Sequence, residues 1–192
     1  MLGQEFSNLT GKILIASPYT MEGNIFHQSL IYVVHHSNDG AVGFIVNRPI
    51  NNGTSISSLL KKTEPNIDLS LLNLEIHVGG PLELERGFFL HSAEYGKNLL
   101  FKPENSDLAV SSNIEILKDI TTGAGPKLNM FTIGYTGWNA GQIEFEIQNN
   151  LWIVAEPDKD LIFGTDASSK WLNAFINLDI DSSDFVPHLA NC

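Results

Sequence analysis

Two apolar runs meet at a four-residue turn, and this pairing constrains the fold more than any other feature of the chain. SLIYVVHH (Ser29 to His36) is followed by Ser37-Asn38-Asp39-Gly40 and then by AVGFIVNRP (Ala41 to Pro49). Asp39-Gly40 between two β-branched, apolar segments is a hairpin signal, because a tight hairpin needs positive φ and Asn, Asp and Gly tolerate it. Both runs are apolar at consecutive positions, so both faces of the hairpin are expected to be covered. That requires a layered structure with helices and strands, not a one-sided sheet.

The rest of the chain reads around this hairpin. KILIASP (Lys12 to Pro18) predicts a buried strand ended by proline. Asn51-Asn52-Gly53 predicts a turn, and Thr54 or Ser55 a cap for a short helix through Leu59-Leu60, with Lys61-Lys62 at its C-terminal end. LEIHV (Leu74 to Val78) and GFFLH (Gly87 to His91) read as strands on either side of Gly79-Gly80-Pro81. Ile116, Leu117 and Ile120 space a helix over 113–122, with Gly123 at its C′ position and a break at Gly123-Ala124-Gly125-Pro126. LNMFTIGY and QIEFEI are expected to be strands on either side of a glycine-rich loop, with NLWIVAE as the next strand. A last helix follows a cap at Asp166 or Ser168, with Trp171, Ala174, Phe175 and Leu178 on one face. Adjacent strands dominate the first two-thirds, so α+β is favoured over regular βαβ alternation. One domain over 1–192 is expected, with a polar tail from about residue 180.

The charge balance bears on partners. Eleven Lys and Arg stand against 22 Asp and Glu in 192 residues, a formal charge of −11, and no basic run occurs. Such a surface repels phosphate backbones and anionic membranes, so direct nucleic-acid binding is not expected. The one cysteine, Cys192, permits no intrachain disulfide and no multi-Cys metal site. The N-terminus lacks a basic, apolar leader pattern, and no apolar run reaches the ~18 residues of a membrane helix. A cytoplasmic location is expected.

Chemistry-bearing motifs are incomplete. GYTGWNAGQIEFEI (Gly134 to Ile147) is glycine-rich, but Gly141 is followed by Gln142 and no lysine follows. A P-loop needs GxxxxGK[ST] ahead of a helix, whereas a strand is expected here, with Ile143, Phe145 and Ile147 on one face. Its glycines then serve a long hairpin loop, and Trp138 packs back on the sheet. The competing reading is a groove lined by Tyr135, Trp138 and Gln142. His35 and His36 are adjacent on a strand and point to opposite faces, so they cannot share an ion. His77 and His91 close two strands and would approach one another if those strands pair. No metal or cofactor is expected. Ser17, His77 and His91 are the residues around which a hydrolase or transferase could be built, though no GxSxG elbow occurs. Glu83 and Glu85 read as solvated charge in a loop, and Arg48 and Arg86 as loop braces to carbonyls.

Four segments together resemble the YqgE/AlgH family of bacterial proteins. GKILIASPYTMEGNIFHQSLIYVVHHSNDGAVGFIVNRP is similar to its N-terminal signature, and HVGGPLELERGFFLH to its central block. GAGP (Gly123 to Pro126) is similar to a turn of the family, and GYTGWNAGQIEFEIQNNLW to its GYxGWxxGQ block. The resemblance covers Gly11 to about Leu178. His35 stands where the family often has an acidic residue, and Asn113 and Glu115 where it typically has serine and aspartate. The resemblance implies a mixed sheet rolled into a barrel-like arrangement with flanking helices, and no established activity or cofactor.

The functional reading is a non-catalytic interaction or ligand-sensing module, with any effect on gene expression indirect. The alternatives are the hydrolase or transferase above and a direct transcriptional regulator. A specific site is expected where Asn47, Arg48, Gly79, Gly80, Pro81, Tyr135, Trp138 and Gln142 converge at strand ends. They combine an aromatic platform, an amide, a guanidinium and close-approach glycines, which suits a small polar ligand or an extended protein segment.

Overall fold

The computed structural model describes residues 8–18, 23–50, 56, 74–104, 106–164 and 166–178. The turn at Asn51-Asn52-Gly53, the polar tail and Cys192 lie outside them, as does the helix expected after Thr54 or Ser55 apart from Ile56, which is helical and buried. The strands are β1 (Ile13–Ala16), β2 (Leu30–Ser37), β3 (Gly40–Ile45), β4 (Ile76–Val78), β5 (Leu82–Ser92), β6 (Leu99–Phe101), β7 (Leu108–Ser111), β8 (Asn129–Asn139) and β9 (Trp152–Ala155). The helices are α1 (Glu115–Thr121), α2 (Gln142–Gln148), α3 (Lys159–Phe163) and α4 (Ala167–Asn177).

The strands form one mixed sheet in the order β6-β7-β5-β8-β3-β2-β1-β9, curled into a half-barrel. Strand β8 is the hub. One edge pairs with β5, while β4, in parallel, and β3, antiparallel, share the other. The β2–β3 hairpin turns through Asn38 and Asp39, with Ser37 opposite Gly40. Leu30, Tyr32 and Val34 of β2 enter one buried cluster, and Ile31 and Val33 a second. This period-2 split is why the hairpin is apolar at consecutive positions. Leu161 and Ile162 of α3, with Ala174 and Phe175 of α4, cover the first cluster, and Ile143 of α2 enters the second. Ile116 and Leu117 of α1 enter a third with Phe89 and Phe131.

Two expectations fail around residues 134–148. Strand β8 runs on to Asn139, so Gly134, Gly137 and Trp138 lie in a strand and not in a hairpin loop. QIEFEI is the helix α2 and not a strand. The alternation of Ile143, Phe145 and Ile147 fits a strand, but Ile143 and Ile147 are also i and i+4 on a helix face. Both pack on the second cluster while Phe145 is left 63% exposed. Gly141 enters the helix with φ of 74°, a left-handed start that glycine adopts without strain.

The last helix is held by a charge placed in the core. Lys170 is 3% exposed, and its Nζ donates to the carbonyls of Val46 at 3.0 Å and Ile162 at 2.6 Å. Burial lowers its pKa from 10.5 to about 8, against a smaller opposing pull from Glu75. The folded chain thus releases this proton near pH 8, whereas the unfolded chain holds it to about 10.5. Unfolding takes up a proton in that interval, so stability rises with pH across it. Denaturation of the natural chain and of Lys170→Met as a function of pH should show their stability difference shifting in favour of the natural chain, by about 3 kcal/mol from pH 7.5 to pH 10.5. A difference that stays flat would contradict the buried amine.

Candidate functional site

The residues expected to converge are divided by the sheet. Tyr135 and Trp138 are three apart on β8, so their side chains leave opposite faces. Tyr135 packs against the first cluster and Trp138 lies within the second, 7% exposed. They form no common platform. Asn47 is buried and spends its amide on the backbone, accepting from Leu30 N–H at 2.9 Å and donating to the Gln28 carbonyl at 2.8 Å. Arg48 donates through Nη2 to the carbonyl of His27.

Gly79 and Gly80 mark the point where β4 enters between β3 and β8. The Gly79 carbonyl accepts from Ile45 N–H, and its N–H donates to Ile133. A Cβ on Gly79 would lie 2.4 Å from the Gly134 carbonyl oxygen, and one on Gly80 2.2 Å from the Tyr135 carbonyl. Gly134 answers from the other strand, where a Cβ would meet the Gly80 oxygen at 2.6 Å. The glycines of the GGP and GYTGW segments therefore let two backbones touch. Pro81, exposed, leads into β5.

Trp138 and Gln142 have a shared structural task. The Oε2 of Glu146 accepts from the indole N–H of Trp138 at 2.8 Å and from that of Trp152 at 2.7 Å. Its Oε1 accepts from Gln142 Nε2 at 2.9 Å, while Gln142 Oε1 accepts from Asn139 N–H at 3.0 Å. The two indoles meet edge to face, 6.3 Å apart. The carboxylate thus clasps α2 to β8 and β9. The helix after Gly141 removes one argument against a P-loop, but the absent lysine still separates this segment from one.

The residues of the enzyme alternative do not assemble. His77 and His91 lie on β4 and β5, which do not pair, because β8 stands between them. Burial, with Lys170 adding, lowers the His77 pKa. Its Nε2 is 3.7 Å from Glu75 Oε2, and its buried Nδ1 has no partner among the described residues. Ser17 is buried at the end of β1, where its N–H donates to Leu151. His91 pairs instead with Ser111. Burial lowers its pKa, Nδ1–H donates to the Ser92 carbonyl, and Nε2 accepts the Ser111 hydroxyl at 3.0 Å. His91 is 0% and Ser111 1% exposed, so no substrate reaches this pair.

An open pocket of about 190 Å³ lies beside the first cluster, between β3, β5, β6 and β8. Phe44, Phe88, Phe101 and Tyr135 contribute aromatic walls, with Glu83 and Arg86 among the lining groups. Phe44 and Phe88 are 5.2 Å apart, and Tyr135 stands edge-on to Phe88 at 6.0 Å. Glu83 and Arg86 come from a bulge of β5. Leu82 pairs with Tyr135 and Gly87 with Ile133, so four residues of β5 stand opposite Gly134 alone. Tyr135 alone of the expected set lines this pocket. The missed signal is the LELER run directly before GFFL. Glu83 reads as solvated charge and Arg86 as a loop brace, although here both border a cavity. Among the described residues, Arg86 pairs with the Glu83 carboxylate and with no carbonyl.

The close approach at the branch point is testable. Gly80→Ala should cost more than about 3 kcal/mol or prevent folding, because its Cβ would overlap backbone that cannot move aside. Gly96→Ala, at a position with nothing within 4 Å, should stay within about 0.5 kcal/mol of the natural chain in urea denaturation.

Comparison with known proteins places the chain in a family. Residues 13–183 match the family described as AlgH-like. A UPF0301 protein of Rickettsia typhi is 45% identical over 191 residues, covering all of both chains. One from Rickettsia peacockii is 46% identical over 186 residues, 97% of each. The solution structure of the AlgH protein from Pseudomonas aeruginosa, 29% identical, covers all of both chains with a TM-score of 0.75. A Corynebacterium diphtheriae protein, 18% identical over 91% of this chain and 90% of its own, shares the fold with a TM-score of 0.68. With the whole length aligned and the same curled sheet, this chain belongs to the AlgH-like UPF0301 family.

Proposed function

We propose that the protein is a non-catalytic ligand-sensing module whose site is the aromatic pocket between β3, β5, β6 and β8. The observation that carries this reading is the pocket's construction. Aromatic walls give a ligand area, and a polar bulge beside them gives it orientation, the mixture that small-molecule sites use. The glycine-rich segment, by contrast, spends its indoles and amide on one carboxylate. Any effect on gene expression then passes through the ligand or a protein partner, not through direct contact with nucleic acid.

The hydrolase reading has one observation in its favour, the His91–Ser111 contact. Its geometry is that of a base and a nucleophile. Its complete burial makes it a tie between β5 and β7 instead.

A fluorine-detected fragment panel tests the pocket. Binders are expected to shift backbone amides of Val42, Phe88 and Tyr135. Leu100, 43% exposed on β6, lines the pocket. Leu100→Trp should fill the space and abolish those shifts while leaving the melting temperature within a few degrees. Binders that persist in Leu100→Trp, or map elsewhere, would move the site.

A further inference from the structure

The pocket already holds a cation, and that cation belongs to the chain. The guanidinium carbon of Arg86 lies 5.3 Å from the centroid of the Phe88 ring. This is cation–π range, where the negative face of the ring attracts positive charge. Arg86 Nη1 also donates to Glu83 Oε2 at 2.5 Å. The other oxygen of Glu83 accepts the hydroxyl of Tyr135 at 3.3 Å. Burial, with Glu83 adding, raises the Tyr135 pKa, so the phenol keeps its proton and remains a donor.

The two bulge charges that line the pocket are not equivalent. Glu83 is tied to β8 by the Tyr135 hydroxyl, and its backbone takes a φ of 49°, an uncommon conformation for a residue with a side chain. Arg86 is the more exposed partner, 51% against 38%, and its three-residue ion pair is of the kind that contributes little to stability. The acceptor is fixed and the donor is replaceable.

We infer that the pocket binds a small organic cation, of the alkylammonium class, which displaces Arg86 from the Phe88 face and pairs with Glu83. This rests on the pocket being the ligand site, as proposed above. The aromatic walls offer π faces to a weakly hydrated cation, and Glu83 supplies the countercharge. The chain's charge of −11 raises the local concentration of cations and not of anions. A carboxylate ligand would have to seat itself on Arg86 beside the anchored Glu83, against like-charge repulsion.

The experiment is an amide-shift titration of the full chain with three probes of similar size: choline, its uncharged isostere 3,3-dimethyl-1-butanol, and benzoate. Choline should shift the amides of residues 83–88 and Tyr135, and bind about tenfold more tightly than the isostere. Glu83→Gln should weaken choline about tenfold. Arg86→Ala removes the internal competitor and should tighten choline several-fold, an effect that a merely structural role of Arg86 would not produce. If the isostere or benzoate binds there as well as choline, or if Arg86→Ala weakens choline, the cation assignment is wrong and the pocket survives as a site. If none of the three probes shifts these amides, both the assignment and the pocket reading fall.

Discussion

The carboxylate of Glu146 ties together the crossing that adds the last strand to this sheet. In sheet order, β8 and β9 are separated by β3, β2 and β1. The chain leaves the hub strand, crosses by way of α2 and adds its last strand at the far edge. Trp138 stands near the start of that crossing and Trp152 just after its end. One carboxylate accepts from both indoles, so the crossing is tied at its two ends by a single group on the helix. Indole N–H groups in buried rings are costly unless partnered, and a charged acceptor makes the stronger kind of hydrogen bond. Gln142 completes the arrangement by linking that carboxylate to the end of β8.

The hub strand imposes the second constraint. β8 must pair with β5 along one edge and with both β4 and β3 along the other. Where β4 enters, backbones approach too closely for any Cβ, and Gly79, Gly80 and Gly134 occupy that contact. The irregularity passes to the neighbouring strand. Opposite Gly134, β5 leaves its ladder with four residues, and these carry Glu83 and Arg86 to the aromatic pocket. A packing necessity at the branch point thus places Glu83 and Arg86, the charged groups that line the candidate site among the described residues.

Much of this was legible in the residues. The β2–β3 hairpin, its two covered faces, the helix before Gly123 and the last helix with its Asp166 cap all follow from apolar spacing and turn chemistry. The segment after Gly141 was not, because Ile143, Phe145 and Ile147 satisfy strand and helix periods at once. Only tertiary packing, which buries Ile143 and exposes Phe145, decides between them. Lys170 was also hidden. It falls beside Trp171 in a helix whose apolar face is plain, and nothing local says that an amine will be turned onto two carbonyls. The candidate pocket was illegible for a topological reason. Its walls come from four strands spread between residues 42 and 135, and no single motif spans them. The Trp and Gln of the glycine-rich segment drew attention as a groove, since a turn demands neither. The demand for both comes from a carboxylate four residues beyond Gln142, which a helix turns back toward them.

A double-mutant cycle between Glu146→Ala and Trp138→Phe, followed by urea denaturation, tests this account most directly. Trp138→Phe keeps an aromatic ring and removes the indole N–H, while Glu146→Ala removes the acceptor. The clasp predicts a coupling energy of about 1–3 kcal/mol between the two positions. Additive effects, within about 0.5 kcal/mol, would mean that Trp138 only fills space and that the carboxylate does not hold the crossing together.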